Sequence, residues 1–265
     1  MGLPAKVLDP GFGASGVGAP APVLDAPSAV EFMREALIKI SEDDIARIAR
    51  EVEAKRERVA PRLTATALEG AGEQELLDLL EESFATRRRR REILEAVGGD
   101  ALREALVELL HGDGAQATVA RRFTAWDAAL VALHAPVRRE LGGELLRMLD
   151  PERYWLWARW MWNPATDTGA LPLVLVGDYD LHAEDAGATY LKVGAATRAV
   201  LTLADELGFS RMRASPFAVD VYLGGVYGVY LYTVTRLRMT QEFNRVIPKL
   251  PELLRRMFGV HPREG

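Results

Sequence analysis

The chain has no cysteine, which excludes disulfides, thiolate catalysis and cysteine-ligated metals. Histidine is scarce. His111, His134, His182 and His261 are scattered and never stand at i, i+4. Histidine-based metal sites rest on such close spacing, so no metal or cofactor is expected. No run of about 18 apolar residues exists to form a membrane-spanning helix. The N-terminus also lacks the basic segment followed by an apolar one that marks a secretory leader. The expectation is a cytoplasmic protein with no membrane span. A strong charge of one sign is missing as well. Thirty-three basic against 38 acidic residues leave a net charge of −5 over 265 residues. That argues against coating nucleic acid by bulk charge and leaves only a local basic patch for such a role.

Several motif matches fail on their surroundings. Gly11-Phe-Gly13-Ala-Ser-Gly16 fits the dinucleotide fingerprint, but that motif needs a strand before it and a helix after it. Here Asp9-Pro10 precedes and Ala-Pro-Ala-Pro follows. Asp167-Thr-Gly169 matches half of an aspartic-protease site. A single copy cannot supply the second carboxylate that shares the proton, so a turn is expected. Asp178-Tyr-Asp180 after the apolar run Leu171–Val176 looks like the haloacid-dehalogenase nucleophile motif. Its Leu181 departs from that pattern, and a helical chain lacks the doubly wound sheet, so an acidic loop with Glu184 and Asp185 is the expectation. Neither a phosphate loop ending in Lys-Ser/Thr nor a Gly-x-Ser-x-Gly elbow occurs.

What remains is a mainly α chain, a multi-helix globular domain. Residues 1–27 carry five glycines and five prolines and read as a disordered or extended N-terminal arm. Residues 28–265 read as the helical domain, with a candidate subdomain boundary near 150. Ser28 with Glu31, and Ser41 with Asp44, fit helix caps. Ile45, Ile48, Ala49 and Val52 recur at helical spacing. A helix is expected from Glu73 to Val97, stopped by Gly98-Gly99, and another from Ala101 to Leu110 with Asp100 as cap. Val119, Phe123, Trp126, Leu130 and Leu133 form one stripe; Val137, Leu141, Leu145 and Leu149 form another, ended by Asp150-Pro151. Ala186–Leu207 and Pro251–Phe258 complete the helices, with Pro251 in a first turn. Leu171–Val176 could be a short strand. Phe217–Thr235 reads as one buried helix in which Gly224 and Gly228 admit a close neighbour, with a Gly-Gly hairpin as the alternative.

Three clusters stand out. Trp155, Trp157, Trp160 and Trp162 fall within eight residues. Whether the segment is helix or strand, the indoles point several ways. They cannot all face one ligand or one membrane, so burial at the core's centre is expected, with Arg159 and Asn163 at its edge. Arg159 there could stack on an indole. The second cluster is Arg87–Arg91. On a continuous helix with the stripe Leu76, Leu77, Leu80, Phe84 and Leu94, Arg87 and Arg91 would face the buried side. They would then need carboxylates or an anionic ligand, unless the helix leaves the core after Phe84 and the arginines are solvated. The third is the tyrosine-rich helix with Tyr222 and Tyr230, leading to Arg236, Glu242 and Arg245, which could line a polar pocket or form a core helix.

The nine residues Leu149-Asp-Pro151-Glu-Arg-Tyr154-Trp-Leu-Trp157 resemble a Leu-x-Pro-x-x-Tyr-x-x-Trp helix junction of some helical modules of bacterial restriction and defence proteins. The resemblance carries no catalytic residue. With no catalytic constellation in the chain, the leading expectation is a non-enzymatic helical accessory protein that binds a protein partner or self-associates. A nucleic-acid-associated module using Arg87–Arg91 comes second. A small-molecule-binding protein or enzyme with an aromatic pocket between the tryptophan segment and the tyrosine-rich helix comes third.

Overall fold

A computed structural model of the chain describes residues 40–112, 118–175, 179–206, 215–238 and 248–260, and the single positions 27, 31, 34, 35 and 38. The Gly11–Gly16 match, the Ser28 cap and Asp178 lie outside the described residues. Among the described residues the protein is mainly α-helical and has no sheet, only an isolated antiparallel bridge between Asn163 and Thr168.

Helix α1 spans Glu42–Val59. Ser41 caps it as expected: the Asp44 N–H donates to its Oγ at 3.1 Å. Ile45, Ile48, Ala49 and Val52 turn inward, joined unexpectedly by Lys55. A 3₁₀ turn at Ala60–Leu63 leads into α2, Ala65–Glu69. The helix expected over Glu73–Val97 is two, α3 (Glu73–Glu82) and α4 (Arg90–Val97). The break has a long-range cause. Lys55 Nζ donates to the carbonyl of Glu82 at 2.6 Å, satisfying an acceptor at the helix end. Ser83 turns extended, and the buried Thr86 hydroxyl donates back to the Leu80 carbonyl at 2.5 Å. The premise that put Arg87 and Arg91 on a buried stripe is therefore overturned.

Gly98, at φ 85°, separates α4 from α5, Gly99–His111, so Asp100 lies in the first turn rather than at the cap. Helices α6 (Val119–Ala129), α7 (Ala135–Leu149), α8 (Ala186–Glu206), α9 (Ala218–Arg238) and α10 (Leu250–Phe258) follow. Pro251 occupies the first turn of α10, and the Phe217–Thr235 run is helical, as the sequence suggests. Leu171–Leu173 is a 3₁₀ turn, not a strand.

Helix α6 packs on α5 and α8, while α1 packs on α9 and α10, so one cluster of buried apolar side chains runs from Ile40 to Phe258. Gly224 and Gly228 seat α10 on α9. A Cβ on Gly228 would lie 2.3 Å from a Leu250 methyl, and one on Gly224 2.8 Å from a Leu254 methyl. No described helix is long and apolar enough to cross a membrane.

Candidate functional site

All four clustered tryptophans are buried, with exposures of 8% or less. Their segment is neither helix nor strand. Tyr154–Ala158 has no regular secondary structure and a turn follows at Arg159–Met161. Tyr190 of α8 replaces strand pairing. Its hydroxyl accepts from the Trp155 N–H at 3.0 Å and donates to the Trp155 carbonyl at 2.9 Å. Burial pushes that hydroxyl's pKa up, so it keeps its proton. Helix α7 lies against the segment because Gly143 carries no side chain, and against Trp126 of α6 because Gly142 carries none. A Cβ on Gly143 would stand 2.8 Å from the Trp157 backbone nitrogen, and one on Gly142 2.6 Å from the Trp126 indole nitrogen.

On α7, Glu140, Glu144 and Arg147 stand at i, i+4 and i+7 on one buried side. Arg147 sits between the rings of Trp155 and Phe217, 5.3 Å from each centroid. Its Nε donates to Asp220 Oδ2 of α9 at 2.9 Å. Its other nitrogens donate to the carbonyls of Pro151, Tyr154 and Pro216. Glu144 accepts from Lys55 Nζ at 2.9 Å, and Lys55 also holds the Phe258 carbonyl. Burial pushes the Asp220 carboxyl up, and the Arg147 charge opposes it. Asp220, Glu140, Glu144 and Arg147 share a cavity of about 20 Å³, room for one water molecule. Asp220 Oδ1 has no hydrogen-bond partner among the described residues. Among the described residues no group of three or more His, Asp or Glu is placed to hold a metal ion.

Glu140 also borders a second, outer space, a pocket of about 300 Å³ between the start of α7 and the tryptophan segment. Trp157 and Trp162, stacked with centroids 6.1 Å apart, form its floor. Pro136, Pro164 and Ala165 add apolar wall, and Arg139, Arg159, Asn163 and His182 add polar groups. His182 meets the Trp162 ring edge-on at 4.8 Å and bonds Asp167 Oδ1 at 2.9 Å. Asp167 also accepts from the Trp162 indole N–H, at a backbone φ of 49°. The Asp-Thr-Gly match is thus a turn that braces the pocket floor.

Two arginines of the wall are held by carboxylates. Arg139 donates Nε and Nη2 to the two oxygens of Asp127 at 2.8 and 3.1 Å, and its guanidinium lies over the Trp157 ring at 5.7 Å. Arg138 grips the same carboxylate. Burial would raise the Asp127 carboxyl, but the two guanidiniums outweigh it and hold it below its usual range. Arg159 donates Nε to Glu140 Oε2 at 3.0 Å and is otherwise half exposed. Among the described residues it stacks on no indole; the guanidiniums over indoles there are those of Arg139 and Arg147. Burial raises the Glu140 carboxyl, and Arg159 opposes the rise.

The other sequence candidates lie elsewhere. Tyr222 is buried with its hydroxyl unpartnered, and Tyr230 packs on Tyr227; neither lines the pocket. The side chain of Arg236, with Glu242 and Arg245, lies outside the described residues. Arg87 lies 4.9 Å over the Phe84 ring, and Arg91 is exposed on a groove with Glu73 and Asp100. Between them Arg89 pairs with Glu92 and Arg90 with Glu81. Sequence reading therefore reached Arg159 and Asn163 but missed Arg139, Glu140, Trp157 as floor, and His182. The spacing of Glu140, Glu144 and Arg147 beside the stripe Val137, Leu141 and Leu145 was the signal for the carboxylates. No family model, curated protein or solved structure matches the chain.

Proposed function

We propose that the protein is a small-molecule-binding protein whose ligand occupies the outer pocket over Trp157 and Trp162. The observation that carries this reading is the pocket's make-up. It is concave, about 300 Å³ in volume, with apolar floor and wall and a few polar groups from two elements. Its parts are fixed from behind: the indoles are buried, and Asp127 clamps Arg139 through two hydrogen bonds. A site held this rigidly loses little freedom on binding. The reading assigns binding and no reaction.

The test is a thermal-shift panel of organic acids, amines, sugars and nucleotides on the intact protein and on Ala165→Trp. Ala165 is exposed on the pocket wall, so an indole there fills the pocket without entering the core. At least one compound is expected to raise the wild-type Tm by mass action and to leave Ala165→Trp unmoved. A panel with no shift in wild type, or equal shifts in both proteins, overturns the reading.

A further inference from the structure

The polar groups of this wall also select among ligands. Arg159 uses only Nε on Glu140, so its two terminal Nη groups have no partner among the described residues. Arg139 uses Nε and Nη2 on Asp127, leaving Nη1 free among the same residues. Asn163 Oδ1 accepts from the Ala165 N–H at 3.1 Å, and its amide nitrogen has no hydrogen-bond partner among the described residues. Among the described residues the one carboxylate bordering the pocket, Glu140, is already paired with Arg159. What this wall still offers is a set of donors. Around the wall Arg138, Arg139 and Arg159 stand against Asp127, Glu140 and Asp167, so the free Nη donors rather than a net charge set what the wall offers.

We propose that the pocket takes a small oxyanion-bearing ligand, with its carboxylate or phosphate held by the free Nη groups of Arg159 and Arg139 and its apolar body over the Trp157–Trp162 floor. The proposal rests on the binding reading above and adds the ligand's chemical class. Guanidinium suits this role because its planar fork meets two oxygens at once, and charge-assisted bonds of this kind are stronger than neutral ones. A lysine-like point charge would select less well between an acid and its amide. A neutral amide carries its own N–H groups, which would face guanidinium donors without an acceptor to meet them.

The experiment uses matched probes on the full chain: benzoate, phenyl phosphate and inorganic phosphate, with benzamide as the neutral counterpart of benzoate. Binding is read from the NMR signals of the Trp157 and Trp162 indole N–H groups and of Arg139 and Arg159 Nε–H. Benzoate or phenyl phosphate is expected to move all four sets and to bind at least about tenfold more tightly than benzamide. Arg159→Met and Arg139→Met should each erase that preference while keeping the weak benzamide response. The affinity for the anionic probe should also fall as salt is raised. Which anionic head binds more tightly decides between a carboxylate and a phosphate, and inorganic phosphate binding as well as phenyl phosphate removes the role of the apolar floor. Equal binding of benzoate and benzamide, or a preference that survives Arg159→Met, overturns the oxyanion proposal and leaves the pocket standing. If no probe, charged or neutral, moves the indole signals, the binding reading itself falls.

Discussion

Arg147 and Arg159 stand twelve positions apart, each beside a tryptophan and each donating Nε to one carboxylate, yet they do opposite things. Arg147 is sealed. It meets Asp220, three backbone carbonyls and two ring faces. Among the described residues Arg159 donates its side chain to Glu140 alone, and that side chain is 48% exposed. The difference teaches how to tell a structural arginine from a binding one in the same aromatic neighbourhood. A guanidinium whose three nitrogens all donate into the fold ties elements together; here it joins α7, the tryptophan segment and the start of α9. A guanidinium held by one nitrogen at the border of a pocket is poised for something that the fold itself does not contain.

The largest expected effect comes from the sealed arginine. Arg147→Met should cost about 3–5 kcal/mol of unfolding free energy, because it strands Asp220 as a buried carboxylate without its partner. The double change Arg147→Met with Asp220→Leu should recover most of that loss, since it removes both charges together. Urea unfolding of the three proteins checks it. A single variant as stable as wild type would mean that the pair does not hold these elements together, and the contrast with Arg159 would collapse.

Next in size is Trp157, which belongs to both regions. It is 3% exposed, stacks on Phe123 and Trp162, and still floors the pocket. Trp157→Ala should cost about 3 kcal/mol as a large-to-small change, near the low end for its type because one side already borders open space. Binding and stability should fall together. A loss of binding at unchanged stability would show that the indole serves the ligand alone and that its place in the core is incidental.

Arg159→Met comes third and completes the contrast. Arg159 is half exposed but its partner Glu140 is buried, so the carboxylate left behind takes up a proton and stability should fall by about 1–2 kcal/mol, less than for Arg147→Met, while anionic-ligand binding is lost. A stability loss matching that of Arg147→Met would make Arg159 a second structural arginine.

How much of this was legible in the sequence depended on range. Local signals read correctly: the Ser41 cap, Pro251 in a first turn, the helical stripes of α6 and α7, and the close seating of α10 on Gly224 and Gly228. The burial of the four tryptophans also followed, because indoles spread through so many directions have no common outer face. What failed was set by partners far along the chain. The break after Glu82 is met by Lys55, and the irregular tryptophan segment by the Tyr190 hydroxyl. No period in residues 73–97 or 154–163 encodes either. The site was half visible. Arg159 and Asn163 were placed at the cluster's edge, but their neighbours come from α7, whose Glu140, Glu144 and Arg147 spacing was readable and whose Gly142-Gly143 pair fixes the approach. The emphasis on Arg87 and Arg91 came from a helix that is not continuous.

The smallest expected effect is a difference in slope. Two carboxylates hold the pocket's arginines, and their pKa values move in opposite directions. Glu140 is raised above 4.5, first by burial and against the pull of Arg159. Between its unfolded and folded values the native state binds more protons than the unfolded chain, so its contribution to stability is present at low pH and is lost as pH rises through the folded value. Asp127 is lowered below 3.8 because Arg139 and Arg138 overcome its burial. Its contribution is present above 3.8 and is lost as pH falls through the folded value. Glu140→Gln should therefore gain on wild type as pH rises above 4.5, and Asp127→Asn should flatten the acid limb. Unfolding free energies across the acid range measure both. Parallel curves for wild type and Glu140→Gln would mean that Glu140 titrates as if exposed, and the wall behind Arg159 would then be solvent rather than a buried carboxylate.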